Sequence, residues 1–192
     1  DTIKNAKNKG IKTIQSFFNI KTSKKINKQH SKAKIVTTTN VFAHTNSLYE
    51  FIQGVKNILK KDGVFIIENH YLFEVIKKNQ FDTFYHEHLR TYSLKSLIKL
   101  MSYYNLHLID AFTTNRYGGN IQAHFSLNKK NYNSNILKIL NKEKKYLSNI
   151  NNYIKFKNNM EISKENLRKF LAKNSKKIIV GKAYPARASI LL

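Results

Sequence analysis

Residues 34–68 decide the fold, and their sequence is KIVTTTNVFAHTNSLYEFIQGVKNILKKDGVFIIE. The β-branched run at 34–39 and the apolar run at 64–68 each predict a buried strand. Between them, residues 47–60 place apolar side chains at the spacing of one helical face, and we expect Gly63 to end that helix in the left-handed conformation. A strand, a helix and a strand joined by tight turns are typical of neighbouring parallel strands in an α/β sheet.

The rest of the chain continues this α/β pattern. Hydrophobic periodicity predicts further helices and strands, with helices at 72–78, 93–104 and 135–172 and strands at 106–113 and 121–127. The short connection between these two strands predicts a hairpin, so we expect an antiparallel pair at the edge of the sheet. The apolar run at 176–181 predicts another strand, which would begin a second α/β domain.

The composition limits the classes of protein to which the chain belongs. Of its 192 residues, 41% are hydrophobic, so the chain is able to form a packed core. The absence of cysteine excludes a disulfide framework, a cysteine-ligated zinc site and a thiol nucleophile. Because no apolar run approaches the ~20 residues of a membrane helix, we expect a cytoplasmic protein with no membrane partner.

The charge is strongly positive, with 35 Lys and Arg against 11 Asp and Glu and a net charge of +24. Such a charge suits a polyanionic partner such as nucleic acid. It also suits a solvated, lysine-rich surface, and we favour this alternative because the lysines are spread along the chain rather than clustered. No RNA-recognition, zinc-finger or Gly-Arg motif is present, so we do not expect nucleic acid to be the partner.

The densest group of chemically active side chains is formed by Tyr85, His86, Glu87 and His88. In an extended segment alternate residues share a side, which would place the two histidines together. Such a pair suits a metal site, but a metal needs a third ligand, and with no cysteine and few acids we expect none. A purely structural, hydrogen-bonded loop is a second alternative. We favour catalysis, because imidazole exchanges protons near neutral pH.

Two other segments are candidates for ligand contacts. Asn40 to His44 directly follow the first strand, and polar groups at the carboxyl ends of parallel strands line the ligand crevice of α/β sheets. Alternatively, His44 is simply exposed in a loop. Gly118 and Gly119 either let the backbone approach a ligand or serve the turn. The six glycines form no G-x-G-x-x-G loop of the kind that binds dinucleotides.

Five motifs follow one another in a fixed order: NVFAH at 40–44, KDGVFIIE at 61–68, NQFDTFYHEHL at 79–89, YGGNIQ at 117–122 and GKAYPARASILL at 181–192. In this order they resemble the sugar C-methyltransferases. These enzymes use S-adenosylmethionine to methylate a carbon next to the keto group of nucleotide-linked deoxysugars. The resemblance spans essentially the whole chain, and it implies that this protein has the same activity.

The resemblance implies a class I methyltransferase sheet of the Rossmann-like type. It assigns residues 1–130 to part of the methyltransferase domain, 131–175 to a helical linker and 176–192 to the start of a C-terminal Rossmann-like domain. The family's zinc-binding and Gly-rich regions have no counterpart here, so we expect residues 1–192 alone not to sustain methyl transfer. The alternatives are a non-catalytic, truncated module and a basic nucleic-acid-binding protein.

The resemblance also implies catalytic residues. Methylation of a carbon beside a ketone needs a base to remove the carbon-bound proton and donors to stabilise the enolate oxygen. The family pattern assigns the base to His88, and enolate stabilisation or proton relay to Tyr85 and His44. Glu87 would orient an imidazole or hold a sugar hydroxyl.

Binding residues follow from the same resemblance. The residues after the first strand are assigned to the cleft for S-adenosylmethionine, namely Asn40, Val41 and Phe42. The residues assigned to the nucleotide-linked sugar come from the histidine motif and the glycine turn, namely His86, Tyr117, Gly118, Gly119 and Asn120.

Overall fold

The computed structural model describes residues 2–180, which form a four-stranded mixed α/β sheet with its helices. In chain order the elements are α1 (Thr2–Asn8), α2 (Ile20–Gln29), β1 (Ala33–Thr39), α3 (Leu48–Ile58), β2 (Leu59–His70), α4 (Leu72–Lys77), α5 (Leu94–Ser102), β3 (His107–Thr114), β4 (Asn120–Ser126), α6 (Ser134–Leu147) and α7 (Ile150–Lys173). All helices and strands predicted between 34 and 172 are present with their ends shifted by up to five residues, and the helical run predicted at 135–172 is divided into α6 and α7.

The sheet has the strand order β1-β2-β4-β3. β1 and β2 are parallel neighbours, with Thr39 opposite Glu68, and β4 runs antiparallel to both β2 and β3. The predicted parallel pair and the predicted antiparallel edge pair are therefore confirmed. The carboxyl ends of β1 and β2 and the start of β4, where His70 lies opposite Asn120, meet at one edge of the sheet.

One face of the sheet carries the hydrophobic core. Phe65 and Ile67 of β2 are fully buried on this face, and apolar residues of α3, α5 and α6 pack against it. Among residues 2–180, the opposite face is more open, since Ile35 is 59% and Phe112 39% exposed. Alternation along β2 therefore directs odd-numbered side chains into the core and Glu68 and His70 to the open face.

The predicted role of Gly63 is wrong. α3 ends at Ile58, and Gly63 lies within β2 with a φ outside the positive range. Leu59, 1% exposed, already pairs with Ala33, and a register shift follows before the next pairs. The strand therefore bulges between these points. A Cβ at Gly63 would lie only 2.8 Å from Leu59 Cδ1, so the glycine serves the bulge rather than a helix end.

Parts of the chain outside 34–172 also differ from the sequence-based expectations, beginning with α1, which the sequence did not predict. Helix α2 was not predicted; it begins at the N-cap Asn19, whose side chain accepts a hydrogen bond from the Thr22 N–H. The strand predicted at 176–181 is not formed over its described part, 176–180, where Ile178 is 95% and Val180 83% exposed. A strand needs a neighbour with which to pair, and the described residues provide none there. Gly181 and the predicted turn and helix after it lie outside the described residues.

A buried carboxylate fixes the strand end that leads into the candidate site. Glu143 of α6 is 3% exposed and accepts hydrogen bonds from the Tyr71 hydroxyl (3.0 Å) and from the backbone N–H groups of Leu94 (2.7 Å) and Lys95 (3.0 Å) at the start of α5. Burial, and then the charge of Glu143, raise the pKa of Tyr71. Glu143 thereby ties α6 and α5 to the residue that follows His70.

Candidate active site

Three histidines from three separate segments lie together at the carboxyl edge of the sheet. The ring centroid of His88 lies 4.7 Å from that of His44 and 5.3 Å from that of His70. The Tyr85 ring is 4.4 Å from His88. We call these four residues the histidine cluster. Two of its histidines and its tyrosine are residues that the sequence singled out, and the structure brings them together.

His44 reaches the cluster through a short turn after β1. The chain leaves β1 at Thr39, turns sharply at Asn40 with a φ of 51°, and forms one turn of 3-10 helix over Phe42–His44. Arg90 then ties this loop to the segment of His88, because its Nη1 donates to the carbonyl oxygen of Thr45 at 2.7 Å. Two loops that are distant in sequence are thus held in contact.

The backbone fixes the tautomer of His88. Its Nδ1 lies 2.7 Å from the carbonyl oxygen of Thr83, which only accepts hydrogen bonds, so Nδ1 carries the proton. In the neutral ring, Nε2 is then the basic nitrogen. The Tyr85 hydroxyl lies 3.3 Å from this Nε2 and donates to it. His88 therefore presents a basic nitrogen next to a phenolic proton.

The segment of the histidine motif is a turn rather than an extended strand, so the predicted alternation of its side chains is wrong. The N–H of His88 donates to the Tyr85 carbonyl oxygen at 2.9 Å, which brings residues three apart together. The side chains of His86 and Glu87 are 73% and 56% exposed, and His86 Nε2 lies 4.0 Å from Glu87 Oε1. These two groups face solvent beside the cluster.

The residues assigned to the cofactor cleft have different environments. Phe42 is fully buried, and its ring packs in the core against Phe51 (5.7 Å) and Tyr92 (5.4 Å), so its side chain does not line a cleft. Val41 is 50% exposed. The N–H of Asn40 donates to the backbone carbonyl oxygen of Glu68 in β2 at 2.8 Å. This hydrogen bond holds the turn against the end of the strand.

A cavity of about 370 Å³ lies next to His44. Its wall includes Val41 and the aromatic rings of Phe17 and Phe18, and its polar lining includes Glu50. Phe17 is 93% exposed, whereas Phe18 packs on the core through Phe51. The cavity thus combines apolar walls with a carboxylate, at the carboxyl end of β1.

The glycine turn between β3 and β4 contacts the other side of the cluster. The Tyr117 ring is 6.2 Å from that of His70, and Tyr117 has a φ of 50°, which is uncommon for a bulky residue. Gly118 and Gly119 have positive φ values, and the Gly118 carbonyl accepts from Lys78 Nζ at 2.7 Å. A Cβ at Gly118 would lie 1.6 Å from Gln80 Nε2. Both the turn geometry and the packing therefore require a glycine at 118.

Two site residues that sequence analysis did not identify are Glu68 and His70 at the end of β2. Glu68 is 4% exposed, and its carboxylate accepts from Asn120 Nδ2 (3.1 Å) and Gln122 Nε2 (3.2 Å). Arg116 Nη1 lies 3.5 Å from it. Polar groups at the carboxyl end of a parallel strand line the ligand crevice of an α/β sheet. This signal is present at residues 68–70 just as it is at Asn40 and His44.

Within residues 2–180, no three His, Asp or Glu side chains are grouped so as to hold a metal ion. Over the same range, no helix is both long enough and apolar enough to span a membrane.

The fold is that of a methyltransferase. A family model described as a methyltransferase domain matches residues 3–111, more than half of the chain, so the chain belongs to this family. Over 116 residues it is 37% identical to the C-methyltransferase NovU of Streptomyces niveus. That alignment covers 60% of this chain and 28% of NovU, so the matched region is little more than a quarter of the length of this relative.

Proposed function

We propose that the protein is a C-methyltransferase that moves a methyl group from S-adenosylmethionine to a carbon next to the keto group of a nucleotide-linked deoxysugar. Membership of the methyltransferase family and the identity to a C-methyltransferase support this proposal. The single observation that carries it is the His88 ring, whose proton is held on Nδ1 and whose Nε2 is left as a base.

His88 is the general base in this mechanism. A ketone makes the neighbouring C–H acidic, and an imidazole with a pKa near neutrality is suited to remove that proton. The Thr83 carbonyl orients the ring through Nδ1–H, so proton transfer occurs at Nε2. The electrons of the broken C–H bond move into the enolate, whose oxygen then carries negative charge.

Tyr85 and His44 stabilise that charge. A phenolic O–H or an imidazole N–H that donates to the enolate oxygen lowers the barrier most when it is already in position. The Tyr85 hydroxyl, now 3.3 Å from His88 Nε2, is able to turn to the substrate oxygen when the base engages the carbon-bound proton. The His44 ring, 4.7 Å from His88, lies on the side of the cluster next to the cavity.

The cavity beside His44 fits the methyl donor. Its aromatic and apolar walls, Phe17, Phe18 and Val41, suit the face of an adenine, and the Glu50 carboxylate suits a ribose hydroxyl. When bound, S-adenosylmethionine supplies the electrophilic methyl group. Of the residues assigned to the sugar, Tyr117 and Asn120 lie at the edge of the sheet with the cluster.

The test uses the full-length protein and measures the base directly. In D₂O, the wild type is expected to exchange the proton next to the keto group of a nucleotide-linked keto-deoxysugar, which proton NMR detects without any methyl transfer. His88→Asn should slow this exchange, and methyl transfer, by roughly 10²-fold or more.

His30→Asn is the matched control, because His30 is exposed and lies before the amino end of β1, away from the cluster at its carboxyl end. It should leave both rates within about threefold of the wild type. Exchange at the wild-type rate in His88→Asn would remove His88 from the role of base. A wild type that transfers no methyl group to any such sugar would refute the proposed function.

A further inference from the structure

The buried carboxylate of Glu68 has no role in the mechanism above. It is 4% exposed, and a buried charge is costly unless its oxygens are hydrogen-bonded. Asn120 Nδ2 donates to Oε1, and Gln122 Nε2 donates to Oε2. Arg116, whose side chain is 59% exposed, approaches Oε2 to 3.5 Å. Since a carboxylate accepts about four hydrogen bonds, these donors leave acceptor capacity for a further partner.

A buried oxygen close to Glu68 has no donor among the described residues. Asn120 is 0% exposed, and its amide nitrogen is directed to Glu68 and, at 3.4 Å, to Asn40 Oδ1. Its Oδ1 accepts no hydrogen bond from any described residue. Leaving such a group unsatisfied is unfavourable, because it has lost its hydrogen bonds to water. The pair thus offers oxygen acceptors, and the missing component is a donor.

These oxygens lie next to the base. Glu68 and His70 are two residues apart on one strand and share its open face, about 6.6 Å apart along the chain. The His70 ring is in turn 5.3 Å from the ring of His88. Asn120 lies directly opposite His70 in the sheet. A sugar whose reacting carbon faced His88 would therefore have neighbouring ring substituents within reach of Glu68 and Asn120.

We propose that Glu68 and Asn120 form a subsite for a hydroxyl group of the acceptor sugar, and that this subsite selects among acceptors. The proposal rests on the proposed function. The hydroxyl donates a hydrogen bond to a carboxylate oxygen of Glu68 or to Oδ1 of Asn120. A sugar with a hydrogen or a keto oxygen at that ring position offers no donor, so the buried acceptors stay unpaired. A site with unpaired buried acceptors discriminates strongly against such an analogue.

The experiment combines a change in the enzyme with a change in the acceptor. The full-length wild type and Glu68→Gln are each assayed with a nucleotide-linked keto-deoxysugar and with its analogues in which one ring hydroxyl is replaced by hydrogen. In the wild type, loss of the recognised hydroxyl should raise KM for the acceptor at least tenfold. In Glu68→Gln, the same loss should change KM less than threefold, because the interaction is already weakened.

Two further variants make the result specific. Glu68→Asp keeps the carboxylate and should retain part of the discrimination, which also guards against a failure of Glu68→Gln to fold. His124→Gln is the matched control: His124 lies on the same open face and contacts Gln122, but it is farther along β4 from the cluster. It should discriminate as the wild type does. The KM for S-adenosylmethionine should be unchanged in all of them.

Equal discrimination in the wild type and Glu68→Gln would overturn the subsite while leaving methyl transfer, and thus the proposed function, intact. A raised KM for S-adenosylmethionine with an unchanged KM for the acceptor would overturn it as well, by assigning Glu68 to the methyl donor. A wild type that methylates none of the sugars would refute the proposed function and the subsite together.

Discussion

Replacement of Glu143 by Gln tests how the end of β2 is held. Glu143→Gln keeps the shape of the side chain but removes its charge and one of its two acceptor oxygens. In the structure, Oε2 accepts from both the Tyr71 hydroxyl and the Leu94 N–H, and Oε1 accepts from the Lys95 N–H. The best orientation of the amide keeps the first two bonds. The NH₂ group of the glutamine then faces the backbone N–H of Lys95. Since both groups are donors, this hydrogen bond is lost.

The expected cost follows from these three contacts. A hydrogen bond to a charged group contributes about 1.5–3 kcal/mol, and the two surviving bonds lose about half their strength when the acceptor becomes neutral. The negative charge at the start of α5 also interacts favourably with the helix dipole. We therefore expect Glu143→Gln to lower the free energy of unfolding by about 3 kcal/mol. For a chain of this size, that corresponds to a fall in Tm of about 6–12 °C.

The assay is thermal and urea unfolding followed by circular dichroism, with the m-value compared between proteins. The matched control is Glu165→Gln on α7, which removes an exposed carboxylate from an i,i+4 pair with Lys169. That change should cost at most about 0.5 kcal/mol. If Glu143→Gln is no less stable than Glu165→Gln, the three buried hydrogen bonds do not hold α5, α6 and β2 together as argued.

Three further predictions concern other parts of the site and its support. Burial raises the pKa of Tyr92 to about 12, so the free energy of unfolding should fall between pH 10 and pH 12 as the unfolded state ionises first. Tyr92→Phe, assayed by urea unfolding at each pH, should weaken that dependence without abolishing it, because the pKa of Tyr71 is raised as well. It should also raise stability by about 1 kcal/mol, since the hydroxyl is buried without a partner in the described residues. Gly118→Ala should lower Tm more than Gly10→Ala, because both have positive φ but only Gly118 meets a neighbour; equal losses would refute the steric argument. Arg90→Gln should lower kcat about tenfold with little change in Tm, because the His44 loop loses its hydrogen bond to the His88 segment. Arg90→Lys should restore part of the lost kcat. An unchanged kcat in Arg90→Gln would show that Arg90 does not position the two loops.

The sequence was sufficient to predict the elements whose signals are local. The strands at 34–39 and 64–68 and the hairpin of β3 and β4 have strong apolar or turn patterns, and they form as expected. Gly63 was misassigned because a glycine after a helical stripe resembles a helix end, whereas here the strand begins at once and bulges. The sequence does not predict helix α2, because only Ile20 and Ile26 of its ten residues are apolar.

The site was predictable only in part, because its geometry depends on non-local contacts. The motif at 85–88 identified His88 and Tyr85, but not that a turn would pair them and direct His86 to solvent. That turn is held locally by the Thr83 carbonyl, five residues before His88, and across the fold by Arg90, which donates to the Thr45 carbonyl. His70 carries no motif of its own, so only the sheet shows that its ring reaches His88.

The core decides which residues of β2 take part in the site. Phe65 and Ile67 are fully buried against the helices, so the alternation of the strand directs Glu68 and His70 to the opposite face and Asn69, 2% exposed, to the core side. A slip of one residue against β4 would exchange these faces and place Asn69, rather than a carboxylate and an imidazole, beside His88. The apolar residues in the middle of the strand therefore fix the chemistry at its end, although none of them lies in the site.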